Sequence, residues 1–362
     1  MGGLLGRGRG IRATGPLLEV LNTIELVDHH AHGILRGEPT LDEFRGLFSE
    51  SPDPRQWPHV ATGLTYRHAI GELAAFFDIE TTERAVYEHR LATDPAEYAA
   101  SLLRATRTEW LLVDDGYPPP GEGTSWDELG ELANCRARPV LRIERVAEEA
   151  GLDGLRSEVT AARENGFVGL KTIAAYRGGL DFEAFETSDS LVPGERVERA
   201  DMRDAVTAAL EANEETGSPL PVQVHTGFGD SDLFLPRVQP GFLKPLIERF
   251  RDTPFVLLHC YPFVREAGWL AHVYGNVYFD LSLTIPHVSR PAEMVRQALE
   301  LAPVSKLLYA SDAARTPELY YLAAKWWREA LAEVLTETLE PHEAEVAGKQ
   351  VLGENARALY GL

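Results

Sequence analysis

The chain has 362 residues, 44% hydrophobic and 25% charged, a composition that suits a globular protein with a large core. Its formal net charge is −21, from 56 acids against 35 bases. That balance argues against nucleic acid and against an anionic membrane surface as partners, since both reward a basic face.

Residues 1–23 read as an N-terminal tail. Arg7, Arg9 and Arg12 lie in it without the apolar stretch of a signal peptide. No run is long and apolar enough to cross a bilayer. Cys135 and Cys260 are far apart and lack metal-type spacing, which predicts reduced thiols. These features together point to the cytoplasm. The expected partner is a small-molecule substrate, with self-association into a homo-oligomer left open.

Eight short β-rich runs follow in chain order: Ile24–His32, Glu109–Val113, Pro139–Ile143, Phe167–Ile173, Pro221–His225, Phe255–His259, Val277–Leu281 and Lys306–Ser311. Most are continuous Val/Ile/Leu/Phe stretches, as parallel strands covered on both faces require. Helical patterns lie between them. Asp94-Pro95-Ala96-Glu97 opens one, with an acid at N-cap, Pro at N1 and Glu at N3. Others run over 152–165 to Gly166, 197–215 to Gly217, 262–274 to Gly275, and 316–335. Strands alternating with helices predict an α/β fold, a (β/α)8 TIM barrel over 24–362, ahead of a doubly wound open sheet. Residues 34–108 form a helical insertion after the first strand. Its Trp57, Tyr66, Phe76, Phe77 and Tyr87 suggest a lid over the barrel mouth. The connection 174–197 after the fourth strand is expected to line the pocket.

In such a barrel the chemistry sits at the carboxyl ends of the strands. The first run ends in Asp28-His29-His30-Ala31-His32, where strict alternation would put Asp28, His30 and His32 on one face and His29 on the other. The fourth ends in Lys171, the fifth in His225, the sixth in His259 and the eighth in Asp312. Imidazoles and a carboxylate form the donor set of a zinc-like divalent ion. Only 5 of the bases are Lys, so a lysine at a strand end is notable.

This order of residues resembles the metal-dependent amidohydrolase superfamily, with Asp28-x-His30-x-His32 as its opening. The tail 352–360 looks like the ending of the amidohydrolase-related (family 2) branch. The stretch 169–177 is similar to the amidohydrolase-like region of nodulin and FluG-type proteins. The resemblance implies one or two divalent ions per chain, zinc first. In the two-ion form a carboxylated Lys171 bridges the ions. His30, His32 and Asp312 then hold one ion, and His225 with His259 the other. In the one-ion form His30, His32, His225 and Asp312 are the ligands, and His259 acts on substrate or water. Either way Asp312 is the expected proton carrier and His259 the expected orienting or oxyanion group, with Asp28 fixing a histidine tautomer. For substrate, Arg177, Arg265 and Arg315, after the fourth, sixth and eighth strands, are candidate carboxylate partners, Arg177 first, and Tyr176 a candidate wall. The expected activity is hydrolysis of a C–N bond in a small, carboxylate-bearing substrate. The alternatives are a metal-dependent decarboxylase on the same scaffold and a non-catalytic regulatory barrel.

Overall fold

The computed structural model describes residues 15–114, 116–119, 121–184, 194 and 196–362. Eight strands stand in sequence order, each parallel to the next: β1 (Leu26–Ala31), β2 (Thr108–Asp114), β3 (Arg136–Arg142), β4 (Leu170–Thr172), β5 (Val222–Thr226), β6 (Phe255–His259), β7 (Val277–Asp280) and β8 (Leu307–Leu308). The chain after β8 closes the ring. Asp312 N donates to His30 O at 2.9 Å, and His32 N to Ala313 O at 2.9 Å. The (β/α)8 barrel expected from the alternating pattern is the fold.

Alternation divides each strand's residues between two cores. Leu26, Leu170, Val222, Phe255, Val277 and Leu307 face outward into the layer under the helices. Val27, Trp110, Leu112, Val140, Val256 and Leu308 fill the lower barrel. Ala356 and Tyr360, from the last helix (Asn355–Tyr360), plug the floor beneath them.

The sequence pattern located the elements better than their ends. The helix expected over 152–165 is Ile143–Ala161, broken at Gly151, where φ is 69° and only glycine is at ease. The expected β8 is cut to two residues because the chain beyond Leu308 turns to meet β1. Asp312 caps no helix; Thr316 holds the N-cap position of the long helix Pro317–Thr338. Asp94 does cap Pro95–Ala105, accepting from Ala96 N and Glu97 N. Of the connection 174–197, residues 185–193 and 195 lie outside the described residues. Cys135 and Cys260 are both free thiols.

The N-terminal expectation needs correcting. Gly15–Leu21 is a helix, α1, with Leu17 and Leu21 buried. Seven residues cannot hold a helix alone; α1 forms because it packs on Pro317–Thr338 and Pro341–Lys349. Gly348 makes the contact possible, since a Cβ there would lie 2.4 Å from Leu21 Cδ2.

Within the 34–108 insertion, Pro95–Ala105 is the ordinary crossover helix between β1 and β2. The helices Leu64–Phe77 and Glu83–Ala92 pack along the flank beside Pro317–Thr338. Phe76 meets Tyr321 with ring centroids 4.7 Å apart, and His68 stacks on Trp326 at 4.9 Å. Arg90 and Tyr98 both bond the buried Glu318 carboxylate. One part of the insertion, at Glu50, reaches the cavity at the barrel mouth. Among the described residues no helix is long and apolar enough to cross a membrane.

One buried cation fastens the closure of the ring at its base. Arg328, 4% exposed, donates to Leu21 O, Ile24 O and Thr106 O at 2.9–3.0 Å. Burial pushes its guanidinium down to about 10, so it stays charged at neutral pH. Arg328→Leu would strand three carbonyls in a dry site, where each unsatisfied group costs roughly 1–3 kcal/mol. We expect a net loss of ~3 kcal/mol of unfolding free energy by chemical denaturation; a loss under ~1 kcal/mol would mean that water replaces the guanidinium.

Candidate active site

The site begins with an irregularity in β1. Asp28 pairs with Leu111 and Ala31 with Val113, so β1 advances three residues while β2 advances two. This is a β-bulge. It breaks the alternation expected for Asp28-His29-His30-Ala31-His32. His29 and His30 both turn inward, at different heights, and Asp28 turns away. The Asp28 carboxylate accepts from Ser311 N at 2.9 Å and Ser311 Oγ at 2.6 Å, stitching β1 to the chain after β8. It touches no imidazole through these bonds, so its expected role in fixing a tautomer is withdrawn.

At the mouth, His30 Nε2 lies 3.0 Å and His32 Nε2 3.3 Å from Asp312 Oδ1. Both tautomers follow from their other ring nitrogens. His32 Nδ1 lies 3.0 Å from the Asp114 carbonyl, which only accepts, so Nδ1 carries the proton. His30 Nδ1 lies 2.9 Å from Gln223 Oε1. The Gln223 amide cannot be flipped, because its Nε2 donates to His29 O at 2.6 Å. His30 Nδ1 therefore donates as well. Two Nε2 lone pairs thus face one carboxylate oxygen, an arrangement that calls for positive charge among them.

Ligand atoms at ~2.0–2.1 Å around one tetrahedral zinc-like ion stand about 3.4 Å apart. The observed separations of 3.0 and 3.3 Å fit that spacing. The ligand atoms of His30, His32 and Asp312 lie within 4.8 Å of one another. The donor set and its geometry fit a divalent ion. Lys171 Nζ, 3.3 Å from His30 Nε2, adds one positive charge beside it.

The other two histidines are ordered from below. Asp280 Oδ1 accepts from His259 N at 2.7 Å, Ser282 N at 2.9 Å and Ser282 Oγ at 2.8 Å. With its proton given to Asp280, Ser282 Oγ accepts from His259 Nδ1 at 2.8 Å. His259 Nε2 is then the lone pair, and it accepts from His225 Nδ1 at 3.0 Å. That leaves His225 Nε2 bare, buried and without a partner. Asp280 Oδ2 stands 2.9 Å from His29 Nε2, and His29 stacks on Tyr360 with centroids 5.8 Å apart.

Burial, and then the nearby ammonium of Lys171, pushes His30 down to about 4. Burial also holds His225 and His259 well below the usual imidazole range. Lys171 falls to about 8 through burial. Burial alone would raise Asp312, but the imidazoles of His259, His30 and His32 hold it well below the carboxylate range. Neutral imidazoles and an ionised carboxylate are the forms that bind metals.

A cavity of about 270 Å³ opens above this cluster. His32, Lys171, His225, His259 and Asp312 line it, as do Tyr176 and Arg177. The Tyr176 ring is 4.6 Å from that of His225, and Gly229 leaves room for its hydroxyl: a Cβ there would stand 2.1 Å away. Arg177 leans on Glu148 at 3.6 Å. Arg265 is placed elsewhere and is a correction. It sits on the surface helix Val264–Val273, with its side chain 63% exposed and paired with Glu300 at 2.7 Å. Trp269 lies on the same helix and is likewise exposed, at 40%.

Several groups had gone unread. Gln223 sits two residues before His225 on the same face of β5, and the period of two could have found it. Asp280 ends the apolar run of β7 with a carboxylate, the signal already used on the other strands. Arg142 ends β3 and forks onto the buried Asp114 carboxylate at 2.6–3.2 Å. Arg315, which sequence reading did offer as a carboxylate partner, comes from the chain after β8, lines the cavity and bonds Glu50 at 3.2 Å. That Glu50 would face them has no local signal, because it arrives from the insertion.

Comparison with known proteins agrees with this geometry. A family model described as amidohydrolase matches residues 120–362. The chain is 27% identical over 406 aligned residues to Protein fluG of Emericella nidulans, covering 96% of this chain and 47% of that protein. The chain thus spans about half the length of that curated relative. A candidate metal-dependent hydrolase from Lactobacillus casei superposes with a TM-score of 0.83 at 26% identity, covering 95% of this chain and 97% of that one. A uronate isomerase from Thermotoga maritima shares the fold, with a TM-score of 0.65 at 15% identity over 96% of this chain and 97% of its own. With its barrel, its histidine and aspartate cluster and two thirds of its length matched, the chain belongs to the amidohydrolase family.

Proposed function

We propose that the protein is a metal-dependent hydrolase of a C–N, amide-type bond in a small, carboxylate-bearing molecule. The observation that carries this reading is the meeting of two tautomer-fixed imidazole lone pairs at one oxygen of Asp312. His30, His32 and Asp312 Oδ1 would hold the ion, with the bare Nε2 of His225 beside them. His225 and His259 are bonded to each other, which supports one ion rather than two. When bound, such an ion supplies a Lewis acid and a water acidified toward about 7.

The chain's own groups do the rest. Asp312 Oδ2, turned away from the His30–His32 pair and 3.5 Å from His259 Nδ1, takes the proton of the attacking water and delivers it to the departing nitrogen. His259, tethered to Ser282, keeps Asp312 in place. Lys171 sits beside the reacting carbonyl as a cation, or as a ligand once carboxylated; with its ammonium lowered to about 8, part of it is neutral at physiological pH. Arg177 meets the substrate carboxylate, and the buried Tyr176 stays protonated and walls the pocket. The insertion serves as a lid through Glu50.

Three measurements test this reading. Elemental analysis of purified protein is expected to give one zinc-like ion per chain; none after reconstitution would refute the ion site. Gln223→Leu removes the bond that fixes His30, and the metal affinity should fall ~10–100-fold with little change in the fold by circular dichroism. Asp312→Asn should lower kcat ~10²–10⁴-fold in an amide panel read by amine or ammonia release. Release of carbon dioxide instead of amine would replace hydrolysis by decarboxylation.

A further inference from the structure

The cavity holds more charge than an ion site requires, and the charge is sorted by strand. Arg142 ends β3, Lys171 lies on β4 and Arg177 follows it. Asp230 and Asp232 come from the loop after β5, and Glu50 from the insertion; all six line the same cavity. Most cations there are engaged, Arg142 with Asp114 and Arg315 with Glu50. The acids after β5 are not. Asp230 Oδ1 accepts only the Asp232 amide, at 2.9 Å, and among the described residues neither acid is in an ion pair.

The acids look onto the space above the ion site. Burial raises the Asp230 carboxyl first; the charges of Asp232 and Glu50 add to this, while the Asp232 amide and the Arg315 guanidinium offset part of it. The hydroxyls of Tyr117 and Tyr176 are both within electrostatic reach of Glu50 and Asp230. After the neighbouring strand β4, Arg177 is only loosely held by Glu148, and its buried Nε has no partner among the described residues. A second group in the cavity also awaits a ligand: His225, 4% exposed, with its Nε2 bare. A half-buried Asp230 carboxylate outside any ion pair is costly, and so is the buried Arg177 Nε without an acceptor. One molecule with both charges would satisfy both sides.

We infer that the substrate is a zwitterion built on an amino acid, with its carboxylate on Arg177 and its ammonium on Asp230, assisted by Asp232 and Glu50. The inference rests on the hydrolase reading for the bond that is cut, and on the pocket alone for the charges that are bound. At about 270 Å³ the cavity lies at the small end of ligand sites, which favours a single amino-acid head over a longer peptide. Charge-assisted hydrogen bonds at both ends would also set the register of the bond to be broken over the His30–His32–Asp312 cluster.

The test uses matched trios: free L-amino acids, their N-acetyl derivatives and their primary amides. Binding to the metal-loaded protein is measured by calorimetry, and ammonia release is measured separately from asparagine and glutamine, which keep both charges beside an amide bond. Free amino acids should bind at least ~10-fold more tightly than either blocked form. Asp230→Asn, which can still accept the Asp232 amide, should erase the preference over the N-acetyl form and keep the preference over the amide. Arg177→Gln should do the reverse. Equal binding of free and N-acetyl forms, a preference that survives Asp230→Asn, or no binding by any trio would overturn the inference. Charge-dependent binding as described, with neither asparagine nor glutamine cleaved, would uphold the inference and count against the hydrolase reading instead.

Discussion

The arrangement of the whole barrel mouth depends on one extra residue in β1. Without the bulge between Asp28 and Ala31, His29 and His30 would face opposite sides of the sheet, and one of them would be lost to the outer core. With it, two consecutive imidazoles enter the barrel at two levels. The lower one meets Asp280 and Tyr360; the upper one meets Asp312. Asp28, released to the outside, ties the same strand to Ser311 and so fixes the height of Asp312. A bulge of this kind re-aims side chains at the cost of one irregular ladder step.

Below the mouth, the histidine protons are assigned by groups with no choice of their own. Backbone carbonyls of His29 and Asp114 and the carboxylate of Asp280 can only accept. From these fixed acceptors the pattern passes through Gln223 to His30, and through Ser282 and His259 to His225. The lone pairs of His30 and His32 that this leaves over lie at the mouth, facing Asp312. Such a buried network is stable only when fully satisfied, and the His225 nitrogen that remains bare marks where a ligand completes it.

The eight strands were legible because parallel strands covered on both faces must be apolar throughout, and glycines punctuate the helices between them. The candidate ligands were legible because each ends such a run. What the sequence hid was non-local. The bulge depends on how β1 registers with β2, and alternation counted along one strand cannot reveal it. Arg265 follows β6 as Arg177 follows β4, yet one begins a surface helix and the other turns into the pocket. The same limit concealed α1, whose seven residues become helical only against partners more than 300 positions away.

Tyr360 has a bearing on how the protein comes to be assembled. It accepts from Gln223 Nε2 at 3.0 Å and stands 3.2 Å from His29 Nδ1, so the floor of the histidine cluster is laid by a residue that follows all eight strands. A nascent chain with every strand already out of the ribosome still lacks that floor. Until it is laid, Gln223 Nε2 and His29 Nδ1 lack the hydroxyl that meets them both. The order of synthesis therefore leaves the histidine cluster without its floor until the helix Asn355–Tyr360 docks.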